Sequence, residues 1–215
     1  MTDTTQNHLR RQQPGSFPAA PGWKNGRPSH RSCGQSINRR SWIILLAGIL
    51  ATVSSWGGES LPPYQVALDK MILTVRHRFP GVQQISTTNL AAWLADSARP
   101  QPQLLDVRQP AEYAVSHLAG AIRISPDSNV AEALARINPH RTVVVYCSVG
   151  YRSSQLARRL QRAGFTNVMN LEGSIFAWAN EGRPLVANGH SATLVHPYNR
   201  KFGRMLKPSL RAPLK

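Results

Sequence analysis

Residues 142–146 read Thr-Val-Val-Val-Tyr, a run that is β-branched or aromatic throughout and apolar on both faces. A strand that can bury both of its faces belongs in the middle of a parallel sheet covered by helices. The surrounding sequence fits that demand. Strand-like segments at 82–86, 103–107, 121–124, 142–146 and 167–171 alternate with helical segments at 88–95, 110–116, 130–137, 153–163 and 174–180. Thr87 or Thr88 is placed to cap the first of these helices, Pro110 to open the second, and Pro139 to stop the third. Alternation of this kind predicts an α/β fold, a mostly parallel sheet with helices on both faces.

The same strand delivers the chemistry. It runs directly into Cys147-Ser148-Val149-Gly150-Tyr151-Arg152-Ser153 and then into a helix. Ligand sites in open α/β sheets lie at the carboxyl ends of strands. Gly150 permits a tight path and Ser153 reads as the helix N-cap. Backbone N–H groups of such a turn can converge on one atom, and the helix N-terminus adds partial positive charge. With the Arg152 guanidinium beside them, these features favour a thiolate at Cys147 and an anion held on its sulfur. The bland alternative, a buried structural cysteine, does not explain glycine and arginine directly after it at a strand-to-helix turn.

Further segments then fall into order: Leu104-Leu105-Asp106-Val107-Arg108, Pro110-Ala111-Glu112-Tyr113, His117-Leu118-Ala119-Gly120-Ala121-Ile122, the Cys147 loop, and Leu171-Glu172-Gly173 with Trp178 and Gly182-Arg183-Pro184. Together with Cys-x-x-Gly-x-Arg-Ser at 147–153, residues 82–186 resemble a single-domain rhodanese, a sulfurtransferase family. The resemblance implies a rhodanese-like fold and covalent catalysis. Cys147 would take a sulfane sulfur from a small sulfur-containing anion such as thiosulfate, becoming a persulfide. Cyanide, a thiol or a protein cysteine would then accept it. Ser148, Val149, Gly150, Tyr151 and Arg152 would form the binding loop, chiefly through main-chain N–H groups, with Arg152 also orienting an anionic donor and Ser153 capping the helix. Asp106 and Arg108 would brace the loop or core. His117 would make a structural hydrogen bond, because a thiolate stabilised by its loop needs no base. Ser116, Ala119, Arg123 and Ser174 stand where the family commonly has glycine, proline, asparagine and glycine, departures that bear on the pocket rim rather than on the nucleophile.

Other readings stay open at this point. A cysteine phosphatase or arsenate reductase would carry Cys-x5-Arg, whereas Cys147 and Arg152 are separated by four residues. A non-catalytic binding module, or a persulfide carrier, would use the same fold. The sequence shows no metal-ligand cluster and no glycine-rich nucleotide motif, so no cofactor is expected.

The net charge of +16 is unevenly spread. Residues 1–41 hold seven basic and one acidic side chain, residues 188–215 hold six and none, and the hundred residues between 86 and 187 are nearly balanced. Basic ends without a recognition fold do not indicate nucleic-acid binding. Residues 1–40 read as a disordered tail. Arg39 and Arg40 precede an apolar run from Trp42 to about Trp56, short for a spanning helix but suited to a signal peptide or short anchor at 41–57. That places the main domain outside the cytoplasm, on the periplasmic side in a bacterium, with a cytoplasmic location as the alternative. A helical linker at 58–81, the main domain at 82–187 and a basic C-terminal tail at 188–215 complete the organisation. Tyr198, Phe202, Met205 and Leu206 would dock that tail on the domain, or its charge would meet anionic lipid or an acidic partner.

Overall fold

A computed structural model describes residues 60–214. The apolar run at 42–56, the basic N-terminal tail and Cys33 lie outside the described residues. Among the described residues no helix is long and apolar enough to cross a membrane.

The chain enters through helix α1 (Pro63–Arg78) and then alternates strand and helix. The order is β1 (Gln83–Ile85), α2 (Thr87–Ala95), β2 (Gln103–Asp106), α3 (Pro110–Val115), β3 (Ile122–Arg123), α4 (Val130–Leu134), β4 (Val143–Tyr146), α5 (Tyr151–Arg162), β5 (Val168–Leu171) and α6 (Ser174–Asn180). The five strands form one sheet in the order β1-β5-β4-β2-β3, and every pairing is parallel. The α/β fold expected from the alternation is therefore present, with β4 at the centre of the sheet.

The period of two along β4 divides the core. Val144 and Tyr146 face one side, packed with Leu90, Trp93, Leu104, Leu171, Ile175 and Phe176. Val143 and Val145 face the other, packed with Leu105, Val107, Leu156, Ala157, Leu160 and Val168. All four residues of β4 are fully buried. Helix α1 packs on the sheet domain: Leu68 enters the first cluster, and Val75, with Phe79 just past the helix end, enters the second.

Element ends differ from the sequence expectation where side chains compete for the backbone. Helix α2 is capped by Ser86, whose Oγ accepts the Asn89 N–H at 3.1 Å, rather than by a threonine. Thr87 is instead drawn to the Glu181 carboxylate. Helix α4 stops at Leu134, short of the expected 137.

The segment after residue 187 is folded. A two-stranded antiparallel hairpin, β6 (Leu185–Ala187) with β7 (His190–Ala192), turns through Asn188 and Gly189, both at positive φ. A short helix α7 (Arg200–Gly203) and a 3-10 turn (Pro208–Leu210) follow. Val195, Met205 and Leu206 are buried in the first core cluster. The Asn180 side chain clasps this segment, donating to the Met205 carbonyl at 2.8 Å and accepting the Lys207 N–H at 2.9 Å.

Candidate active site

Cys147 is the first residue past β4, and only 1% of its surface is exposed. The loop that follows ends at Gly150, which takes a left-handed conformation (φ 99°) and caps α5. That turn starts the helix at Tyr151, two residues before the expected start. Ser153 is consequently not the N-cap. It lies in the first turn, buried, with its hydroxyl donating to Asn170 Oδ1 at 2.6 Å.

Two of the loop's carbonyls are bound by the start of α6. The first N–H groups of α6 donate to them, Ile175 to the Cys147 carbonyl at 3.2 Å and Phe176 to the Ser148 carbonyl at 3.1 Å. The Cys147 N–H is held by the Ser174 hydroxyl at 3.1 Å. With these groups satisfied, the Gly150 N–H donates to Cys147 Sγ at 3.2 Å. Burial pushes the Cys147 thiol up. The Arg152 charge and hydrogen bonds from Ser153 and the Val149 N–H outweigh it, so the thiol lies below its ordinary value. The Ser153 hydroxyl has one proton, and its short bond to Asn170 competes for it, so the backbone donors and Arg152 are the firmer part of that balance.

Arg152 does not stand free to meet an anion. Its two terminal nitrogens bond the Glu112 carboxylate at 2.7 and 2.8 Å, and Nη2 also donates to Ser148 Oγ at 2.9 Å. Glu112 comes from α3, is 2% exposed, and accepts two further bonds, from the Ser148 hydroxyl and the Gln109 N–H. Burial would favour its neutral acid, but the bonds from Arg152, Gln109 and Ser148 prevail and hold the carboxyl below its usual range. The result is a charge pair that fixes the loop from outside, with the guanidinium 4.7 Å above the Tyr198 ring.

A cavity of about 160 Å³ opens on the sulfur, lined by Cys147, Ser148, Val149, Tyr151, Arg152, Tyr198 and Phe202. Asp106, Arg108, His117 and Ser153 are not among its lining residues. Asp106 and Arg108 form a fully buried ion pair at 2.6 Å, with Arg108 also donating to the Ser116 carbonyl. The ring of His117 stacks on Tyr113 with centroids 3.7 Å apart, and Nδ1 lies 3.0 Å from the Tyr113 carbonyl. A carbonyl only accepts, so Nδ1 carries the proton there.

Sequence reasoning assigned no role to Glu112 or Asn170, did not place Tyr198 and Phe202 at the site, and put Ser174 at the pocket rim, whereas its hydroxyl holds the N–H of the nucleophile itself. Glu112 carried a local signal, three residues after the Gln109 cap of α3, but that signal points to its own helix and not to Arg152 forty residues away. Nothing in the pattern of residues 188–215 marks two aromatics as walls of a cavity.

Residues 90–181 match the family described as Rhodanese-like domain. The probable adenylyltransferase/sulfurtransferase MoeZ of Mycobacterium tuberculosis is 39% identical over 102 residues, 46% of this chain and 25% of that protein. A sulfurtransferase of Allochromatium vinosum is 37% identical over 106 residues, 49% of this chain and 96% of that protein. The chain thus spans a quarter of the length of one relative and nearly all of the other. Among solved structures, a rhodanese-like domain protein from Staphylococcus aureus is 29% identical with a TM-score of 0.44, covering 50% of this chain and 99% of that one.

Proposed function

The chain belongs to the rhodanese-like family, and from that premise we propose that it is a sulfurtransferase working through a persulfide on Cys147. The observation that carries this reading is the Cys147 thiol itself, buried yet shifted toward thiolate chiefly by the Arg152 charge, with the Gly150 N–H donating to its sulfur. In the first half-reaction the thiolate attacks the outer sulfur of a donor such as thiosulfate. The donor's S–S bond breaks, sulfite leaves with the bonding pair, and Cys147 keeps the transferred sulfur as an anionic persulfide. In the second, an acceptor such as cyanide or a thiolate attacks that outer sulfur and the Cys147 thiolate is released. The Gly150 and neighbouring N–H groups would hold the negative charge in both steps, so one difficult transfer becomes two easier ones. Arg152 would act mainly by positioning the loop, because Glu112 occupies its fork. The apolar run behind Arg39 and Arg40 supports an exported or membrane-anchored placement, which fractionation of cells expressing the full chain would test.

The experiment for the function is intact mass of the full chain before and after thiosulfate, beside Cys147→Ala. The expected result is a gain of one sulfur atom, absent in the variant and removed by cyanide as thiocyanate. No gain in the folded, reduced protein with any sulfane donor would remove the reading.

A further inference from the structure

The family match ends at residue 181, yet Tyr198 and Phe202, which wall the Cys147 cavity, come after it. The two rings meet edge to face, centroids 5.4 Å apart at 88°. Tyr198 sits at φ 63°, a conformation that costs free energy in any residue with a Cβ. It is held there by neighbours on both sides. The Tyr198 N–H donates to His196 Nδ1 at 3.0 Å, and Asn199 caps α7 by accepting the Phe202 N–H at 2.9 Å. Behind them the Asn180 clasp and the buried Met205 and Leu206 fix the segment to the core. Arg152, already bound by Glu112, serves as the platform on which the Tyr198 ring lies.

We propose that Tyr198 and Phe202 are specificity-determining residues, admitting to Cys147 slender sulfur carriers with an apolar stem, of the class of small alkyl thiols, and turning away bulky thiols. The proposal rests on the sulfurtransferase reading above. The cavity over the sulfur is small, about 160 Å³, and the two rings are among the side chains that bound it, which favours a thiol of a few carbons over a peptide thiol. The two ring faces offer an alkyl stem close contact, and the Tyr198 hydroxyl is the one polar group the two side chains carry. In the transfer, the small thiolate attacks the outer persulfide sulfur, the S–S bond to Cys147 breaks, and the sulfur departs as the alkyl persulfide while Cys147 recovers its thiolate.

The test uses the full chain carrying Cys33→Ser, so that alkylation reports Cys147 alone. Tyr198→Gly removes a ring and suits the left-handed backbone; Phe202→Leu removes the other ring and keeps an apolar side chain. Rates of Cys147 alkylation by iodoacetamide and by a pyrene maleimide are compared, then rates of persulfide discharge by 2-mercaptoethanol and by glutathione. The expected result is a bulky-to-small rate ratio raised by about tenfold in Tyr198→Gly, and raised in Phe202→Leu, for both pairs of reagents. Unchanged ratios in variants that melt like the parent would overturn the proposal. A shifted alkylation ratio in a protein that forms no persulfide from any donor would keep the wall but remove the sulfurtransferase reading beneath it. A persulfide that forms, with ratios that do not move, would do the reverse.

Discussion

At the scale of single residues the site is a balance of three charges. The Cys147 thiolate is favoured by Arg152, and Arg152 is in turn held by Glu112. The rate of Cys147 alkylation against pH is therefore expected to have its midpoint below the ordinary thiol value of 9.0. Arg152→Leu should move that midpoint upward, because it removes the largest of the influences that oppose burial. The same substitution strands a buried carboxylate, so it is expected to cost about 3 kcal/mol in a urea melt at neutral pH, with Glu112→Leu in the same chain recovering most of the loss. Glu112 also sets an acid limit. Its folded pKa lies below its ordinary value of 4.5, so the stability it contributes is complete above that pH and is lost as pH falls through the folded value. Melts taken from pH 6 downward should show that loss, and Glu112→Gln should flatten it. Of this trio the sequence displays only Cys147 and Arg152, because their relation is local, set by a five-residue turn. The Glu112 partnership is a product of the fold.

At the scale of elements, the corner between β5 and α6 governs the loop it faces. Gly173 and Ser174 are both left-handed, with φ of 64° and 53°. A Cβ on Gly173 would lie 2.6 Å from the Cβ of Ala177, an atom that cannot move without its helix. Gly173→Ala is accordingly expected to destabilise by at least about 2 kcal/mol, measured by thermal melting. Ser174 stands where a second glycine would suit the backbone better, and its hydroxyl gives the reason, accepting the buried Cys147 N–H. Ser174→Ala should cost about 1–3 kcal/mol, and Ser174→Gly less, since glycine recovers the backbone strain while losing the same acceptor. Strand and helix types were legible because β4 and α5 have strong periods and clear neighbours. Helix starts were not, because a serine three residues into a helix and a glycine just before it give competing cap signals, and Gly150 prevails through its positive φ. The Asn188-Gly189 turn carried a readable hairpin signal that charge counting over the C-terminal segment obscured.

At the scale of the whole molecule, the segment after α6 completes the core and the cavity together. Met205 and Leu206, two of the four residues expected to dock it, are buried. Asn180→Ala removes both bonds of the clasp and leaves the sheet untouched. Hydrogen exchange is expected to quicken at residues 195–212, with little change at β4 and β5, and Cys147 alkylation should become faster. Exchange that quickens across the sheet as well would mean that segment and sheet open as one unit. The separation in sequence between Cys147 and Tyr198 also has a consequence for the growing chain. About fifty residues must be added after the nucleophile before the wall that covers it exists, which at roughly 5–20 residues per second takes on the order of 3–10 s. A chain whose synthesis has not yet reached Tyr198 carries the nucleophile without this wall, so the order of synthesis, as well as the finished shape, decides when the thiol is covered.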